Sequence, residues 1–293
     1  MENKYLIFRT DRIGDLLVSA VLIKSIKKND PSSKVILITS NKNYFYAKNF
    51  SYIDEIILLQ NNFFSKLKLI FKLRKSKFNN IIIHDNKKRS KFISFFLKFK
   101  KKITIENQNN FSHIEIIKII LNKMNFTYYD DSLDIFYDRY SSNKESNFIQ
   151  LHFDEKWIHK NYIQKFIDIE PTEDELFDFL KQIKSKSNLK LIITSGNLLP
   201  KVLKNILPKI NKLNIIVYEK LDFLELEQVT SKSKILISCH GAISHIAAAL
   251  NIKQIDIIDK SYNYSRWSSH FRNYQFVYRE KFNILTNYII KKL

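Results

Sequence analysis

Two short polar segments, one near each end of the chain, carry the residue types that acid–base chemistry and phosphate binding require. The first runs from Arg9 to Asp15 and reads Arg-Thr-Asp-Arg-Ile-Gly-Asp, and the second runs from Cys239 to His245 and reads Cys-His-Gly-Ala-Ile-Ser-His. Each follows an apolar run of strand length and precedes a run of helix type. Because α/β proteins bind ligands at such junctions, the two segments are predicted to form two halves of one site.

In the first segment the candidate catalytic residue is Asp15. A carboxylate at the start of a helix can act as general base on a hydroxyl group, with Arg9 and Arg12 binding acidic groups nearby. Gly14 permits a positive φ or the close approach of a ligand. The alternative is that Asp15 only caps the helix, which is worth about 1 kcal/mol. Two arginines beside one carboxylate favour its ionised form, so its strength as a base would depend on the charges of the bound substrate.

In the second segment, Gly241, Ser244 and His245 open a helix that is rich in small residues at 246–250. Backbone N–H groups and the dipole at a helix start favour an anion, so a diphosphate is predicted to bind there. The alternative for His240 and His245 is that they are ordinary hydrogen-bonded residues of a loop.

A third candidate is Lys156, in the segment Leu-His-Phe-Asp-Glu-Lys-Trp that ends at Trp157. A lysine behind a strand can reach a phosphate as a flexible point charge, with the tryptophan packed beneath the loop. The alternative is a surface lysine beside a core tryptophan.

Several common motifs are missing from the chain. Its three glycines are too few and too far apart for a Walker loop or a dinucleotide-binding loop. The single cysteine, Cys239, excludes an intrachain disulfide and a cysteine-based metal cluster and favours a reducing compartment. His240 and His245, with His152 or Asp154, match no zinc spacing, so we expect no bound metal.

Short apolar runs alternate with longer amphipathic segments, which predicts an α/β protein with parallel sheets. Strands are predicted at 5–8, 35–39, 55–58, 81–84, 102–105, 148–152, 190–194, 214–218, 234–238 and 254–258. Helices are predicted at 14–28, 63–75, 90–99, 113–123, 172–186, 221–230, 242–250 and 282–293.

A polar stretch around 128–146 loses both periodicities and is predicted to be a connector. We therefore expect a domain boundary there, with a first domain at 1–140 and a second at 147–280. The final helix, at 281–293, is expected to pack back on the first domain.

The chain has 49 Lys and Arg against 29 Asp and Glu, a formal net charge of +20. This excess favours polyanionic partners such as nucleic acid, anionic lipid or a phosphorylated substrate. The alternative is a biased coding composition with a solvated basic surface. No leader-like segment and no apolar run long enough to span a bilayer is present in the sequence, so we expect a cytoplasmic protein whose membrane association is peripheral.

The three segments, in this order, resemble glycosyltransferase family nine, the heptosyltransferases of lipopolysaccharide assembly. The resemblance is strongest at Arg9-Thr-Asp-Arg-Ile-Gly-Asp-Leu-Leu17. It implies a GT-B fold, in which two Rossmann-like domains face each other across a cleft. By the same resemblance, the domain at 1–140 binds the acceptor and the domain at 147–280 binds the nucleotide-sugar. It also implies that Asp15 is the catalytic base, that Lys156 contacts donor phosphate, and that the turn from Gly241 to His245 binds the diphosphate without a metal.

The second segment departs from the family pattern. The family has Asp, then Ser or Thr, then Gly, with two residues before His, whereas this chain has Cys239-His240-Gly241 with three residues before His245. An acidic contact to the donor is lost and a possible cation is gained. Lys160 is an alternative partner for the donor in the compressed segment around Lys156.

The predicted function is an inverting, metal-independent glycosyltransferase, in which Asp15 deprotonates an acceptor hydroxyl and Lys156 stabilises the departing diphosphate. His240 and Arg266 are further candidates for the same charge. The donor is expected to be a nucleotide-sugar, ADP-activated by resemblance, and the acceptor a lipid-linked or phosphorylated glycan on the cytoplasmic face of the inner membrane. The alternatives are a basic nucleic-acid-binding protein and an inactive GT-B-like scaffold.

Overall fold

The computed structural model describes residues 2–106, 108–129, 147–158, 160, 161 and 163–293. They divide into two compact units, each built on one parallel sheet, so the α/β prediction is confirmed. The first unit holds the described residues up to position 129 together with Ser265–His270. The second holds those from 147 to 264 together with Phe271–Leu293. Most of the predicted connector, at 130–146, lies outside the described residues.

The first sheet has the strand order β3-β2-β1-β4-β5. Its strands are β1 Lys4–Phe8, β2 Lys34–Thr39, β3 Glu55–Leu58, β4 Lys77–Ile83 and β5 Lys98–Thr104. The helices of this unit are α1 Ile13–Asn29, α2 Tyr44–Ala47, α3 Phe63–Arg74, α4 Lys88–Phe95 and α5 His113–Lys123. The central strands are apolar on both sides because helices cover both faces of a parallel sheet.

The second sheet has the strand order β11-β10-β9-β6-β7-β8. Its strands are β6 Phe148–His152, β7 Lys190–Thr194, β8 Ile216–Tyr218, β9 Ser233–Cys239, β10 Lys253–Ile258 and β11 Tyr274–Tyr278. The helices after residue 147 are α6 Glu173–Lys186, α7 Lys201–Asn211, α8 Phe223–Ser231, α9 Ala242–Ala249, α10 Ser265–Ser268 and α11 Phe282–Lys292. Of these, α10 belongs to the first unit.

Each sheet has a point where the strand order reverses. In the first sheet β1 pairs with both β2 and β4, and in the second β6 pairs with both β7 and β9. Ligands of open α/β sheets bind outside the carboxyl ends of the strands at such a switch point. The segment from Arg9 to Asp15 follows β1, and the segment from His240 to His245 follows β9. The topology therefore places each predicted segment at the switch point of its own sheet.

Most predicted elements are confirmed to within a few residues, and β6 and β7 have the predicted bounds. The helix predicted at 90–99 ends at Phe95, because the chain turns there and Phe99 already lies in β5. The sequence analysis missed α2, α7, α10 and β11. The helix α7 has a clear apolar stripe of Leu203, Ile206 and Ile210, but the proline at position 208 argues against a helix there. The strand β11 is mostly exposed and carries no strong alternation.

The last helix, α11, forms as predicted but does not join the first unit. Its apolar side, Phe282, Leu285 and Ile289, belongs to the core of the second unit. There Phe282 packs edge-on against Trp157 and Phe179. The apolar stripe of α11 is thus buried against the second sheet and its helices, and the expectation that the helix also packs back on the first domain stays a prediction.

Candidate functional site

Arg9 lies beneath the loop that follows β1 and is 2% exposed. Its Nε donates to the backbone oxygen of Asp15 at 2.9 Å, and its Nη1 donates to the backbone oxygen of His84 at 3.0 Å. The guanidinium also pairs with the carboxylates of Asp11 and Asp15 at 3.4 and 3.5 Å. The expected role of Arg9 in binding the acceptor is not supported, because the side chain is buried and holds the ends of β1 and β4 together.

Asp15 lies in the first turn of α1 with its side chain 27% exposed. Its Oδ2 accepts a long hydrogen bond of 3.4 Å from the backbone N–H of Arg12. The residue Arg12 is itself exposed. The carboxylate therefore caps the helix and is still open to solvent, so both interpretations of Asp15 remain compatible with its geometry. Gly14 adopts no positive φ, so its freedom of backbone conformation is not used.

The loop after β4 braces the loop after β1. The Asp85 carboxylate accepts from Thr10 Oγ1 at 2.5 Å and from Ser90 Oγ at 2.8 Å. Arg89 Nη2 donates to Thr10 Oγ1 at 2.7 Å, and Lys87 Nζ pairs with Asp11. These residues were missed by the sequence analysis, because the neighbourhood of β1 and β4 depends on strand order. They fix the backbone on which Asp15 stands.

Two buried histidines of the first unit are held in the neutral form. Burial lowers the pKa of His84 well below its usual value, with added repulsion from Arg9 and His113. The Nδ1 of His84 lies 3.0 Å from Ser19 Oγ. Burial likewise lowers the pKa of His113 to about 3. Neither imidazole is suited to proton transfer near neutral pH.

Arg266 was predicted to bind the donor, but it lies on α10 in the first unit. Its Nη1 donates to Asn109 Oδ1 at 2.6 Å, and its guanidinium lies 5.2 Å from the ring centre of Trp267. These contacts tie α10 to the loop before α5. The role of Arg266 in binding the donor stays a prediction.

In the second unit, Lys156 lies at the carboxyl end of β6 with its side chain 13% exposed. Its Nζ pairs with the buried Asp154, whose other close partner is His152 Nε2 at 3.3 Å. Burial alone would raise the pKa of Asp154, but Lys156 and His152 outweigh it and hold this pKa below its usual value. Burial disfavours the charged ammonium of Lys156 and by itself would lower its pKa. The Asp154 carboxylate favours the ammonium more strongly, so the pKa of Lys156 is raised overall. Both groups are therefore ionised.

Lys156 lies directly against Gly241, in the turn between β9 and α9. A Cβ atom at Gly241 would come within 2.9 Å of Lys156 Nζ and 3.1 Å of its Cε. The glycine thus lets the end of the Lys156 side chain lie against the turn, and a Cβ there would push the ammonium aside. This brings the lysine ammonium to the start of α9, where backbone N–H groups and the helix dipole favour an anion.

The turn carrying His240 is anchored by Asp256, a fully buried carboxylate on β10. Asp256 accepts from His240 Nδ1 at 2.5 Å, from Ser244 Oγ at 2.8 Å and from the Tyr274 hydroxyl at 3.3 Å. Since a carboxylate only accepts, the proton of His240 that faces it is on Nδ1. Asp256 therefore orients the imidazole beside Gly241, as a buried acid orients a catalytic or ligating histidine.

Two residues that were predicted to bind the donor are internal. Ser244 is fully buried and accepts from the backbone N–H of Gly241 at 3.2 Å, closing the first turn of α9. His245 is 6% exposed and packs edge-on against Phe271, with ring centres 5.2 Å apart. They stabilise the turn from below. The groups that remain near its surface are Gly241, His240 and Lys156.

A buried arginine, Arg279, ties the same loops together from β11. Its Nη2 donates to the backbone oxygen of Lys156 at 2.7 Å, and its Nη1 lies 3.7 Å from Cys239 Sγ. Burial raises the pKa of the Cys239 thiol to about 12. Arg279 was missed because β11 was not predicted. Asp256 had a usable signal, since an acidic residue inside an apolar strand must find a buried partner.

Comparison with solved structures shows which known folds this architecture resembles. The E. coli heptosyltransferase WaaC with ADP matches with a TM-score of 0.73 at 12% identity, covering 99% of this chain and 100% of that one. A glycosyl transferase family 9 structure from Veillonella parvula matches at 0.70 and 11% identity, covering 100% and 92%. The chain has a GT-B-type α/β fold. The predicted resemblance to glycosyltransferase family nine is thus confirmed at the level of the fold.

The same fold extends to a different reaction. The UDP-GlcNAc 2-epimerase from Methanocaldococcus jannaschii matches with a TM-score of 0.58 at 10% identity, covering 100% of this chain and 92% of that one. No family model and no curated protein matches the sequence. Function must therefore be argued from the residues themselves.

The described residues lack two features that would bear on function. They contain no helix with the length and apolarity required to cross a membrane. Within the same ranges, no three His, Cys, Asp or Glu side chains are grouped so that they could hold a metal ion.

Proposed function

We propose that this protein is an inverting glycosyltransferase that moves a sugar from a nucleoside diphosphate sugar to a hydroxyl group of a glycan acceptor. One observation carries the proposal. In a chain of GT-B-type fold, a part-exposed carboxylate stands at the switch point of the first sheet, and a cationic helix start stands at the switch point of the second. These are the groups that base-assisted attack and departure of a diphosphate require.

Asp15 acts on the acceptor. Its carboxylate accepts the proton of the attacking hydroxyl as the new bond forms between that oxygen and the anomeric carbon. Arg9 and the cap at Arg12 hold the carboxylate in place. A positioned general base of this kind contributes about 10²- to 10⁴-fold to the rate.

Lys156, His240 and the start of α9 act on the donor. As the bond between the anomeric carbon and the diphosphate oxygen breaks, negative charge collects on the departing diphosphate. Lys156 Nζ and the backbone N–H groups of α9 meet that charge, and His240, whose Nδ1 proton is held by Asp256, lines the turn beside them. Asp154 and Asp256 hold the two side chains in position. Displacement from the side opposite the leaving group inverts the configuration.

The donor is best assigned as an ADP-activated heptose or similar sugar, because the WaaC structure that this chain resembles is one with ADP. The acceptor is a lipopolysaccharide or another cell-surface glycan, lipid-linked or phosphorylated, at the cytoplasmic face of the inner membrane. The net charge of +20 supports an anionic acceptor or surface.

The donor assignment is tested by thermal-shift titration with ADP-, GDP-, UDP- and CMP-sugars, because a ligand that binds only the folded state raises the unfolding temperature. One nucleotide should stabilise the wild type, and Lys156→Gln should abolish most of that shift. The matched control is Lys190→Gln, an exposed lysine at the opposite end of the neighbouring strand β7, which should respond as the wild type does.

Three outcomes would contradict the proposal. A shift with oligonucleotides and none with any nucleotide-sugar would favour the nucleic-acid-binding alternative. Nucleotide binding without transfer or donor hydrolysis would favour an inactive scaffold. Equal shifts for wild type and Lys156→Gln would remove the second-unit site from the mechanism.

A further inference from the structure

Helix α3 carries phenylalanine and lysine along its solvent side. Its buried side consists of Leu69, Ile70 and Leu73. On the other side, Phe64, Lys68 and Phe71 follow one another at helical spacing. Phe64 is 81% exposed and Phe71 is 65% exposed. A single exposed phenylalanine needs no explanation, but a repeated one does.

Helix α4 repeats the pattern. Ile93 is buried against the sheet, whereas Phe92, Phe95 and the C-cap Phe96 are exposed, Phe95 by 75%. The exposed Lys91 lies beside them in the helix. The rings form edge-to-face contacts, with centres 5.1 Å apart for Phe92 and Phe96 and 5.3 Å apart for Phe95 and Phe96.

Both helices cover the same face of the first sheet. Their buried side chains join one core cluster with alternate residues of the strands, such as Leu6 and Phe8 of β1. In addition, Arg89 Nη1 of α4 donates to Asn61 Oδ1 before α3 at 2.6 Å. The exposed sides of α3 and α4 therefore form one surface. We call it the Phe–Lys face, and it consists of Phe63, Phe64, Phe71, Phe92, Phe95 and Phe96 with the lysines between them.

The charge around the Phe–Lys face has one sign. Residues 60–105 contain 14 Lys and Arg and a single acidic residue, Asp85. Asp85 is buried and hydrogen-bonded to Thr10 and Ser90. Lysines of β5 have another explanation, since lysines on an edge strand prevent sheet-to-sheet pairing. The lysines of α3 and α4 are not on an edge. Apart from Lys72, which pairs with Glu55, they form no ion pair within the described part of the chain, so they add positive charge to the face.

We infer that the Phe–Lys face docks the protein on a bilayer that contains anionic lipid. Phenylalanine rings enter the boundary between headgroups and acyl chains, while lysines reach the lipid phosphates around them. A second copy of the chain is a poorer occupant, because it would bring two surfaces of the same charge together. Single-stranded nucleic acid is also poorer, because its binders line a groove, whereas these rings stand on the outer sides of two helices.

The inference deepens the proposed function, since a glycosyltransferase with a lipid-linked acceptor must work at a membrane. The docking inference and the proposed function can be tested separately. Docking is measured with lipid alone, and donor binding is measured with nucleotide alone. If the protein binds vesicles but no nucleotide-sugar, the proposed function fails and the docking face stands. If it binds a nucleotide-sugar but no vesicles, the docking face fails and the proposed function stands.

The test is flotation with vesicles of phosphatidylcholine, with and without phosphatidylglycerol. The wild type should float with the anionic vesicles, less so at high salt. The triple variant Phe64→Ser, Phe71→Ser, Phe95→Ser should bind about a thousandfold more weakly, at roughly tenfold for each large apolar side chain removed. The double variant Lys68→Ser, Lys91→Ser should bind about 25-fold more weakly, at about fivefold for each lysine near an anionic surface.

Matched controls come from the second unit. Leu198→Ser removes a side chain that is 79% exposed, and Lys204→Ser with Lys212→Ser removes two exposed lysines. Both controls should float as the wild type does, and all variants should keep the wild-type unfolding temperature because the replaced groups are exposed. The double lysine control, Lys204→Ser with Lys212→Ser, also shows whether binding depends on the Phe–Lys face or on basic surface anywhere on the protein.

Four results would overturn the inference. They are no flotation of the wild type, equal flotation with neutral and anionic vesicles, wild-type binding by the phenylalanine variant, and equal losses in the second-unit controls. If the phenylalanine variant instead loses binding to single-stranded RNA, the face is a nucleic-acid surface. If the wild type is a dimer in light scattering and this variant is a monomer, the occupant is a second copy.

Discussion

Replacing Asp256 by asparagine tests how the donor turn is built. The Asp256 carboxylate is fully buried and accepts from His240 Nδ1 at 2.5 Å and from Ser244 Oγ at 2.8 Å. Asparagine keeps one acceptor and turns the other oxygen into a donor, so one of these two bonds is lost. A hydrogen bond to a charged group contributes about 1.5–3 kcal/mol, and the expected loss is therefore about 2 kcal/mol.

Two readouts follow from that loss. Thermal unfolding should shift down by about 4–8 °C, at roughly 2–4 °C per kcal/mol for a chain of this size. ADP affinity measured by calorimetry on the folded protein should fall about tenfold, because His240 loses the partner that fixes its orientation. The control is Asp178→Asn, an exposed carboxylate on α6, which should change neither quantity. Unchanged ADP affinity in Asp256→Asn would refute the reasoning, whatever the shift in stability.

Three further predictions concern glycine, thiol and imidazole groups. Gly241→Ala should weaken ADP binding about tenfold, because the new Cβ would lie 2.9 Å from Lys156 Nζ. An unchanged ADP affinity in calorimetry would contradict this. Burial raises the pKa of the Cys239 thiol to about 12, so Cys239 should resist maleimide in the folded protein at about pH 8 and react only on unfolding. Fast reaction of the folded protein with maleimide would contradict the burial of this thiol. Burial lowers the pKa of His113 to about 3, so the unfolded chain binds this proton near pH 6.5 before the folded chain does. The free energy of unfolding should then fall as the pH decreases from 6.5 towards 3, by up to about 1.4 kcal/mol per pH unit in denaturant titrations. The same slope in a His113→Phe variant would contradict this.

The fold was largely predictable because its strands are apolar runs between amphipathic helices. The exceptions have physical causes. The strand β11 is an exposed edge without an apolar run, and α11 has an apolar stripe whose partner no local pattern identifies. An amphipathic pattern predicts that one side of the helix is buried, but it does not identify the unit against which that side packs.

The candidate site was predictable as a set of segments but less well as a set of side-chain roles. Spacing located the turns after β1 and β9, because polar residues and glycine follow apolar runs there. Burial then decided the roles. Arg9 and Ser244 proved to be internal supports. The anchors Asp85 and Asp256 come from neighbouring strands, and strand order is a property of the three-dimensional fold that no single segment encodes.

The most direct test of the proposed mechanism compares Asp15→Asn with Lys156→Gln for both ADP-sugar binding and sugar release or transfer. Asp15→Asn should bind the donor as the wild type does and lose about 10²- to 10⁴-fold in turnover, as expected for removal of a general base. Lys156→Gln should lose donor affinity. Wild-type turnover by Asp15→Asn, measured as ADP released from ADP-sugar, would contradict the account.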